Sequence, residues 1–243
     1  MRRPVAGARP DVPTAAELLT EAGFHTTAVV NAAFLSPLLG IDRGFERFDH
    51  RHAFNRDIRR ADRTVRDALA LIDKRHATRR FLFVHLFDPH LDYDPPGARE
   101  GAALSRRRCL ELGEAAVDTV RERYQEEGRA VDAAVGELVD GLRQRGLWDR
   151  TTLVLCADHG EEFWEHGGYE HNPPLYQELV HAVLWIRPPG GWADGPHRVT
   201  EPTGLVDIVP TLIDLFGMDT TGTSPTDGVS LAPYLDANRS DSL

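Results

Sequence analysis

Two apolar runs of strand length constrain the fold of this chain more than any other feature. They are FLFVHLF at 81–87 and TTLVLCA at 151–157. Strands that are apolar on both faces are typical of a parallel sheet covered by helices on both sides. Apolar residues at intervals of three or four predict an amphipathic helix before each run, over 56–74 and 131–142. The sequence therefore predicts an α/β fold of three layers, α/β/α, with a largely parallel central sheet.

A capping box predicts the first helix. Thr14 and Glu17 have the spacing at which each side chain caps the other residue's backbone N–H, and Gly23 stands where the helix would end. A β-branched run follows at 26–30 and predicts a strand. Helix and strand therefore alternate from residue 14 onward, as an α/β layer requires.

The rest of the chain is predicted to complete one domain. A third strand is expected at 181–187 and a further helix at 205–216. The two ends lack apolar periodicity and are rich in turn-forming residues. We therefore predict a disordered lead-in at 1–13, a partial α/β domain at 14–236 and a flexible tail at 237–243.

Composition excludes several function classes. The 243 residues carry 28 basic and 38 acidic side chains, a net charge of −10, which argues against nucleic acid or anionic membranes as partners. Two cysteines, Cys109 and Cys156, match neither a disulfide framework nor a zinc spacing. No apolar run approaches the ~20 residues of a membrane span, and the first residues lack the apolar core of a secretory signal. As written, the chain is predicted to be cytoplasmic. Lys74 is its only lysine, an arginine bias that suggests a GC-rich, bacterial genome.

Histidines concentrate just beyond the two apolar runs, where an α/β sheet binds its ligands. Four of the eleven histidines have these positions: His90, His159, His166 and His171. Asp158 directly precedes His159, and Gly160 is predicted to let the backbone turn so that both side chains converge. A carboxylate and an imidazole suit Zn²⁺ or Mn²⁺ better than a purely oxygen-ligated Ca²⁺ site. The pattern predicts a metal site at this edge of the sheet.

Longer segments around these residues resemble the sulfatase branch of the alkaline phosphatase superfamily. Five segments are similar to that family in the same order: DVPTAAELLTEAGFHTTAVV, FLFVHLFDPHLDYDPP, TTLVLCADHGEEFWEHGGYEHNPPLYQE, AVLWIRPPGG and LVDIVPTLIDLFG. The tripeptide DHG alone would be a weak indication. The collinear match, from about Asp11 to Leu235, makes the resemblance specific, and it implies an alkaline-phosphatase-like fold.

The resemblance also implies roles for single residues. Asp158 and His159 stand at the positions of two metal ligands. His90 stands where a histidine contacts the ester and its leaving group, and His171 stands where a Lys or His touches the transferred group. His166 belongs to an EHG segment whose role is open. The implied cofactor is a divalent metal ion (Ca, Mn or Zn), and the implied substrate is a small-molecule or glycan sulfate or phosphate ester.

Each of these residues also has a simpler interpretation. Asp158 and His159 could form a capped turn after a strand. His90 could be a loop histidine between its neighbours Pro89 and Tyr93. The nearby acids Glu161, Glu162 and Glu165 are more typical of a solvated face than of a ligand set, and Cys156 is interpreted as a small buried apolar residue.

The sequence departs from the family in its first part. Sulfatases begin with a strand that ends in paired aspartates, followed by a C/S-x-P-x-R nucleophile motif, and neither is matched here. We therefore expect a chain that is truncated relative to the family and lacks its first strand and nucleophile. An unpaired sheet edge would favour self-association.

Two hypotheses about function follow. The first is a sulfatase-family hydrolase that uses a metal to cleave sulfuric or phosphoric/phosphonic esters, and DHG in place of DNG favours the phosphorus esters. The alternative is a non-catalytic remnant or split subunit that binds metal or oxyanion weakly. A nucleotide-binding protein is disfavoured, because no G-x-G-x-x-G or Walker motif follows a predicted strand. Members of the resembled family are often periplasmic or secreted, which leaves the location of a longer form open.

Overall fold

The computed structural model describes residues 7–9, 11–51, 59–73, 79–90, 92–96, 104–171, 175–192, 195–220 and 226–235. The predicted tail at 237–243 and most of the predicted lead-in lie outside these residues. In chain order the elements are α1 (Ala15–Glu21), β1 (His25–Val29), β2 (Arg47–Asp49), α2 (Ala61–Asp73), β3 (Arg80–Val84), α3 (Arg106–Leu112), α4 (Val117–Gln144), β4 (Leu153–Cys156), β5 (Glu162–Phe163), β6 (Tyr169–Glu170), α5 (Gln177–Val180), β7 (Leu184–Arg187) and α6 (Ile208–Phe216).

Strand β1 is the centre of a parallel sheet with the order β2-β1-β3. Thr27 in β1 is in register with Arg47 in β2 and with Leu82 in β3. A second pair, β4 and β7, is antiparallel, with Leu153 opposite Arg187. Within the described residues no backbone ladder joins β3 to β4. The parallel three-stranded sheet confirms the predicted α/β fold class.

Helices pack on both faces of these strands and give three layers. On one face α1 and α6 bury an apolar cluster against Phe81 of β3 and Val154 of β4: Leu18, Leu19, Phe24, Leu212 and Met218. On the other face α2 and α4 share a second cluster: Ala61, Val65, Ala134, Leu138 and Leu142. The predicted capping box is present, because Thr14 Oγ1 accepts from the Glu17 N–H and the Glu17 carboxylate accepts from the Thr14 N–H.

Some elements differ from their predictions. Helix α4 begins fourteen residues before the predicted start, and α3 is not among the predicted elements. Ser105 caps α3 by accepting a hydrogen bond from the Arg108 N–H, and Cys109 anchors the helix by its complete burial. An N-terminal cap and the packing of Cys109 and Leu112 against an apolar cluster thus accompany the helix in this arginine-rich segment.

The interpretation of Cys156 as a buried apolar residue is wrong. Its side chain is exposed at the end of β4, and Phe83 in β3 is 39% exposed. The strand pairings explain both exposures, because β3 has a ladder only to β1 and β4 has one only to β7 within the described residues.

Among the helices in the described residues, none combines the length and the apolar character that a membrane crossing requires.

Candidate functional site

Residues that follow β3 and residues that follow β4 converge, as the sequence predicts. His85 follows β3 directly, and its N–H donates to the Val29 carbonyl at the end of β1. Burial lowers the pKa of His85, the nearby Asp158 carboxylate opposes this shift, and His90 adds to it. His85 therefore faces both loops that carry the predicted site residues. No role is predicted for His85 from the sequence, because no local pattern distinguishes a histidine inside an apolar run.

Three of the predicted residues form what we call the histidine cluster: His90, His159 and His171. The ring centroids of His159 and His171 are 4.1 Å apart, and those of His90 and His171 are 5.7 Å apart. The ring of His90 stacks on Phe87 with a centroid distance of 4.3 Å. The loops after β3 and β4 thus bring together residues that are up to 81 positions apart in the chain.

Asp158 and His159 can reach one cation. Asp158 Oδ2 and His159 Nε2 are 3.7 Å apart, and the Asp158 side chain is 83% exposed. Zinc bonds of about 2.0–2.2 Å require that two ligands of one ion lie within about 4.4 Å of each other. His159 Nδ1 lies 2.7 Å from the Gly160 carbonyl oxygen, which can only accept, so Nδ1 carries the proton and Nε2 keeps its lone pair. The geometry of the pair therefore fits two ligands of one divalent metal ion.

Gly160 is required for a different reason from the one predicted. Its φ is not left-handed, but a Cβ at this position would lie 1.9 Å from the Glu178 carbonyl oxygen. The Gly160 N–H donates to the Leu179 carbonyl at 2.8 Å. The glycine therefore allows the loop after β4 to approach the backbone of α5.

Replacing Gly160 with alanine is expected to destabilise the fold by about 1–3 kcal/mol, because the loop and α5 must separate to admit the Cβ. Gly136→Ala is the matched control, since a Cβ there meets nothing within 4 Å and alanine favours a helix interior by about 0.5–1 kcal/mol. Chemical denaturation of both variants measures the difference. A Gly160→Ala protein as stable as the wild type would contradict the close approach.

A buried carboxylate links the two loops. The Tyr93 hydroxyl donates to Glu161 Oε2 at 3.1 Å, and His171 Nδ1 lies 3.0 Å from Glu161 Oε1. The Glu161 side chain is 6% exposed, and burial is the main reason why the pKa of Tyr93 is raised. The interpretation of Glu161 and Glu162 as a solvated face is therefore wrong, because both side chains are buried.

His166 lies in a separate group of donor atoms. Its Nδ1 is 2.6 Å from Glu178 Oε1, and its ring stacks on Tyr176. Glu162 Oε1 accepts from the backbone N–H groups of His166 and Gly168. Donor atoms of Glu162, His166 and Glu178 all lie within 4.8 Å of one another. An ion pair and a capped turn account for this arrangement, although the spacing would also admit a cation.

Comparisons with known proteins agree with the resemblance. A family model described as Sulfatase matches residues 4–218. Choline-sulfatase of Rhizobium meliloti is 37% identical over 107 residues, which are 43% of this chain and 20% of that protein. The phosphonate monoester hydrolase of Agrobacterium radiobacter superposes with a TM-score of 0.77 at 18% identity, covering 95% of this chain and 63% of that one.

A third protein, whose structure holds its substrate D-glucosamine-2-N,6-O-disulfate, superposes with a TM-score of 0.70 at 18% identity, covering 96% of this chain and 66% of that one. The chain therefore spans about a fifth of the curated relative that it matches and about two thirds of its structural neighbours. At these identities the superpositions describe the fold alone. The family model, which matches most of the chain, shows that the chain belongs to the sulfatase family.

Proposed function

We propose that this chain carries the metal-binding and ester-binding part of a sulfatase-family hydrolase that cleaves phosphoric/phosphonic or sulfuric esters. The observation that carries the proposal is the convergence of His90, His159 and His171 beside Asp158 at the ends of β3 and β4. The family is metal-dependent, and the donor pair fits a divalent ion. A carboxylate with an imidazole favours a transition metal such as Zn²⁺ or Mn²⁺ over Ca²⁺.

Each residue has a distinct role in this proposal. Asp158 Oδ2 and His159 Nε2 would hold the metal, which when bound polarises the ester and offsets its negative charge. His90, held against Phe87, would give a proton to the leaving-group oxygen. His171 would contact the oxygens of the transferred group and keep them oriented.

The substrate class is proposed from chemistry and from the names of similar proteins. Neighbours and relatives include a phosphonate monoester hydrolase, a choline-sulfatase and a protein with a bound sulfated glucosamine. We propose a small-molecule or glycan ester, with the phosphorus esters favoured by DHG in place of DNG. Self-association through a sheet edge and truncation relative to the family stay predictions.

Metal binding provides the first test. Titration of the metal-free chain with Zn²⁺, Mn²⁺ and Ca²⁺ in a calorimeter is expected to show one site. Asp158→Asn is expected to weaken it more than tenfold, or about 1.4 kcal/mol, by removing a charged ligand. Asp149→Asn is the matched control, because Asp149 is exposed and lies before β4 rather than after it. Equal affinities in wild type and Asp158→Asn would contradict the proposed ligand.

Turnover separates the two hypotheses about function. The metal-loaded chain is expected to hydrolyse an aryl phosphonate, an aryl phosphate or an aryl sulfate with water as the attacking group. The bond from phosphorus or sulfur to the leaving oxygen breaks as the bond to the water oxygen forms, and His90 protonates the leaving oxygen. Metal binding without turnover of any of these esters would instead support the non-catalytic alternative, in which the chain needs a nucleophile from elsewhere.

A further inference from the structure

The bridge from Tyr93 through Glu161 to His171 has no counterpart among the sequence-predicted roles. We propose that Glu161 is a positioning residue: its carboxylate orients the His171 imidazole, fixes the proton on Nδ1 and ties the His171 loop to the His90 loop through Tyr93. The value of this orientation for catalysis rests on the proposed function, but the orientation itself does not.

Hydrogen-bond directions follow from the chemistry of the three groups. A carboxylate has only acceptor oxygens. The Tyr93 hydroxyl uses its one proton for Oε2, at 3.1 Å. Oε1 then accepts from His171 Nδ1, at 3.0 Å, so Nδ1 must carry a proton. Nε2 is therefore the nitrogen that His171 can offer to an ester at the histidine cluster.

Tyr93 makes a rigid anchor for this bridge. Its side chain is fully buried, and its backbone exchanges two hydrogen bonds with Leu104, at 3.2 and 2.9 Å. A buried phenol that donates to a buried carboxylate has few alternative geometries, because an unpaired partner would carry a desolvation penalty. The hydrogen bond from Tyr93 thus fixes the position of the Glu161 carboxylate from outside its own loop.

The bridge spans the two halves of the histidine cluster. Tyr93 lies three residues after His90, and Glu161 lies two residues after His159. His171 contacts the rings of both His90 and His159. An interaction between Tyr93 and Glu161 therefore sets the spacing of residues on two loops that no backbone ladder joins within the described parts of the chain.

Nitrogen NMR of the metal-free chain tests the tautomer directly. At about pH 8.5, where imidazoles are neutral, wild-type His171 is expected to show the Nδ1–H form; its signals are assigned by their loss in His171→Gln. In Glu161→Gln the Tyr93 hydroxyl is expected to keep donating, now to the amide oxygen, which turns the amide NH₂ towards His171 Nδ1 and switches the tautomer to Nε2–H. Glu165→Gln is the matched control: it makes the same change four residues away, beyond β5, on a side chain that pairs with Arg121. An Nε2–H form in the wild type, or an unchanged tautomer in Glu161→Gln, would overturn the proposal.

Kinetics then test the consequence. With metal and an aryl ester, Glu161→Gln is expected to lower kcat by about 10–100-fold, the usual effect of an outer-shell partner, with little change in KM. Glu165→Gln is expected to keep the wild-type kcat. An unchanged kcat in Glu161→Gln would refute the positioning role. Absence of activity in the wild type would refute the proposed function instead, and the tautomer measurement would still decide whether Glu161 orients His171.

Discussion

Replacing His90 with alanine is expected to lower kcat for aryl phosphonate or aryl sulfate esters by about 10²–10⁴-fold, because the leaving oxygen loses its proton donor. The effect is expected in kcat, since proton transfer occurs in the transition state and contributes little to binding of the ground state. Steady-state kinetics of the metal-loaded variant measure it. For esters with a more acidic leaving group the decrease in kcat is expected to be smaller, because such a leaving group departs as an anion without being protonated.

A matched control separates this effect from the loss of any histidine. His197 is exposed in the segment between β7 and α6, and His197→Ala is expected to keep the wild-type kcat and KM. Calorimetric metal affinity is expected to be the same in His90→Ala and wild type, since His90 is not a proposed ligand. A His90→Ala variant with wild-type kcat on every ester would show that another group protonates the leaving oxygen.

The parts of the site that local patterns specify could be predicted. The sequence order of apolar run, Asp158 and His159 places these residues just beyond the carboxyl end of a strand, where an α/β sheet binds its ligands. The role of His171 required the resemblance to the family, since its position beyond an apolar run does not by itself distinguish it from His166. The capping box of Thr14 and Glu17 could likewise be predicted, because it depends only on two residues that are three positions apart.

The parts that depend on distant partners could not be predicted. Glu161 belongs to an acidic segment, and only the approach of Tyr93, 68 positions away, gives it a buried partner. The surroundings of His85 could not be predicted for the same reason, because the nearby Asp158 lies after a different strand, β4. Ser105 does mark the start of α3, but the three arginines that follow it obscure the single buried position at Cys109.

Glu127 is the clearest case of a residue whose environment is set by tertiary structure. It lies in the middle of α4 among polar neighbours, yet it is 3% exposed, because the loop after β3 covers it. Its Oε1 accepts from the Asp94 N–H at 2.6 Å. Asp94 also accepts two hydrogen bonds from Arg60, one at its carbonyl oxygen at 2.6 Å and one at its carboxylate at 3.0 Å.

Burial gives Glu127 an unusual protonation equilibrium. Desolvation raises its pKa from 4.5 to about 7; the Asp94 N–H and Arg60 oppose the shift, while the carboxylates of Asp88 and Asp94 add to it. Among the described residues its Oε2 has no hydrogen-bond partner. The folded chain therefore binds a proton that the unfolded chain releases between pH 4.5 and 7. The contribution of the protonated Glu127 side chain to the free energy of unfolding is fully present below about pH 4.5, and it is lost as the pH rises through about 7.

Glu127→Gln is accordingly expected to stabilise the protein at pH 8 by up to about 3 kcal/mol, because the amide keeps an acceptor for Asp94 and carries no charge. At pH 4 the gain is expected to disappear, since the carboxyl is then neutral in both states. Urea denaturation at the two pH values measures the difference. Glu126→Gln is the control on the same helix: it removes a half-exposed pair with Arg123 and is expected to change stability by less than about 1 kcal/mol. If Glu127→Gln had the same effect at both pH values, folding would leave the pKa of Glu127 unchanged, and the Asp94 N–H and Arg60 would offset the effect of burial.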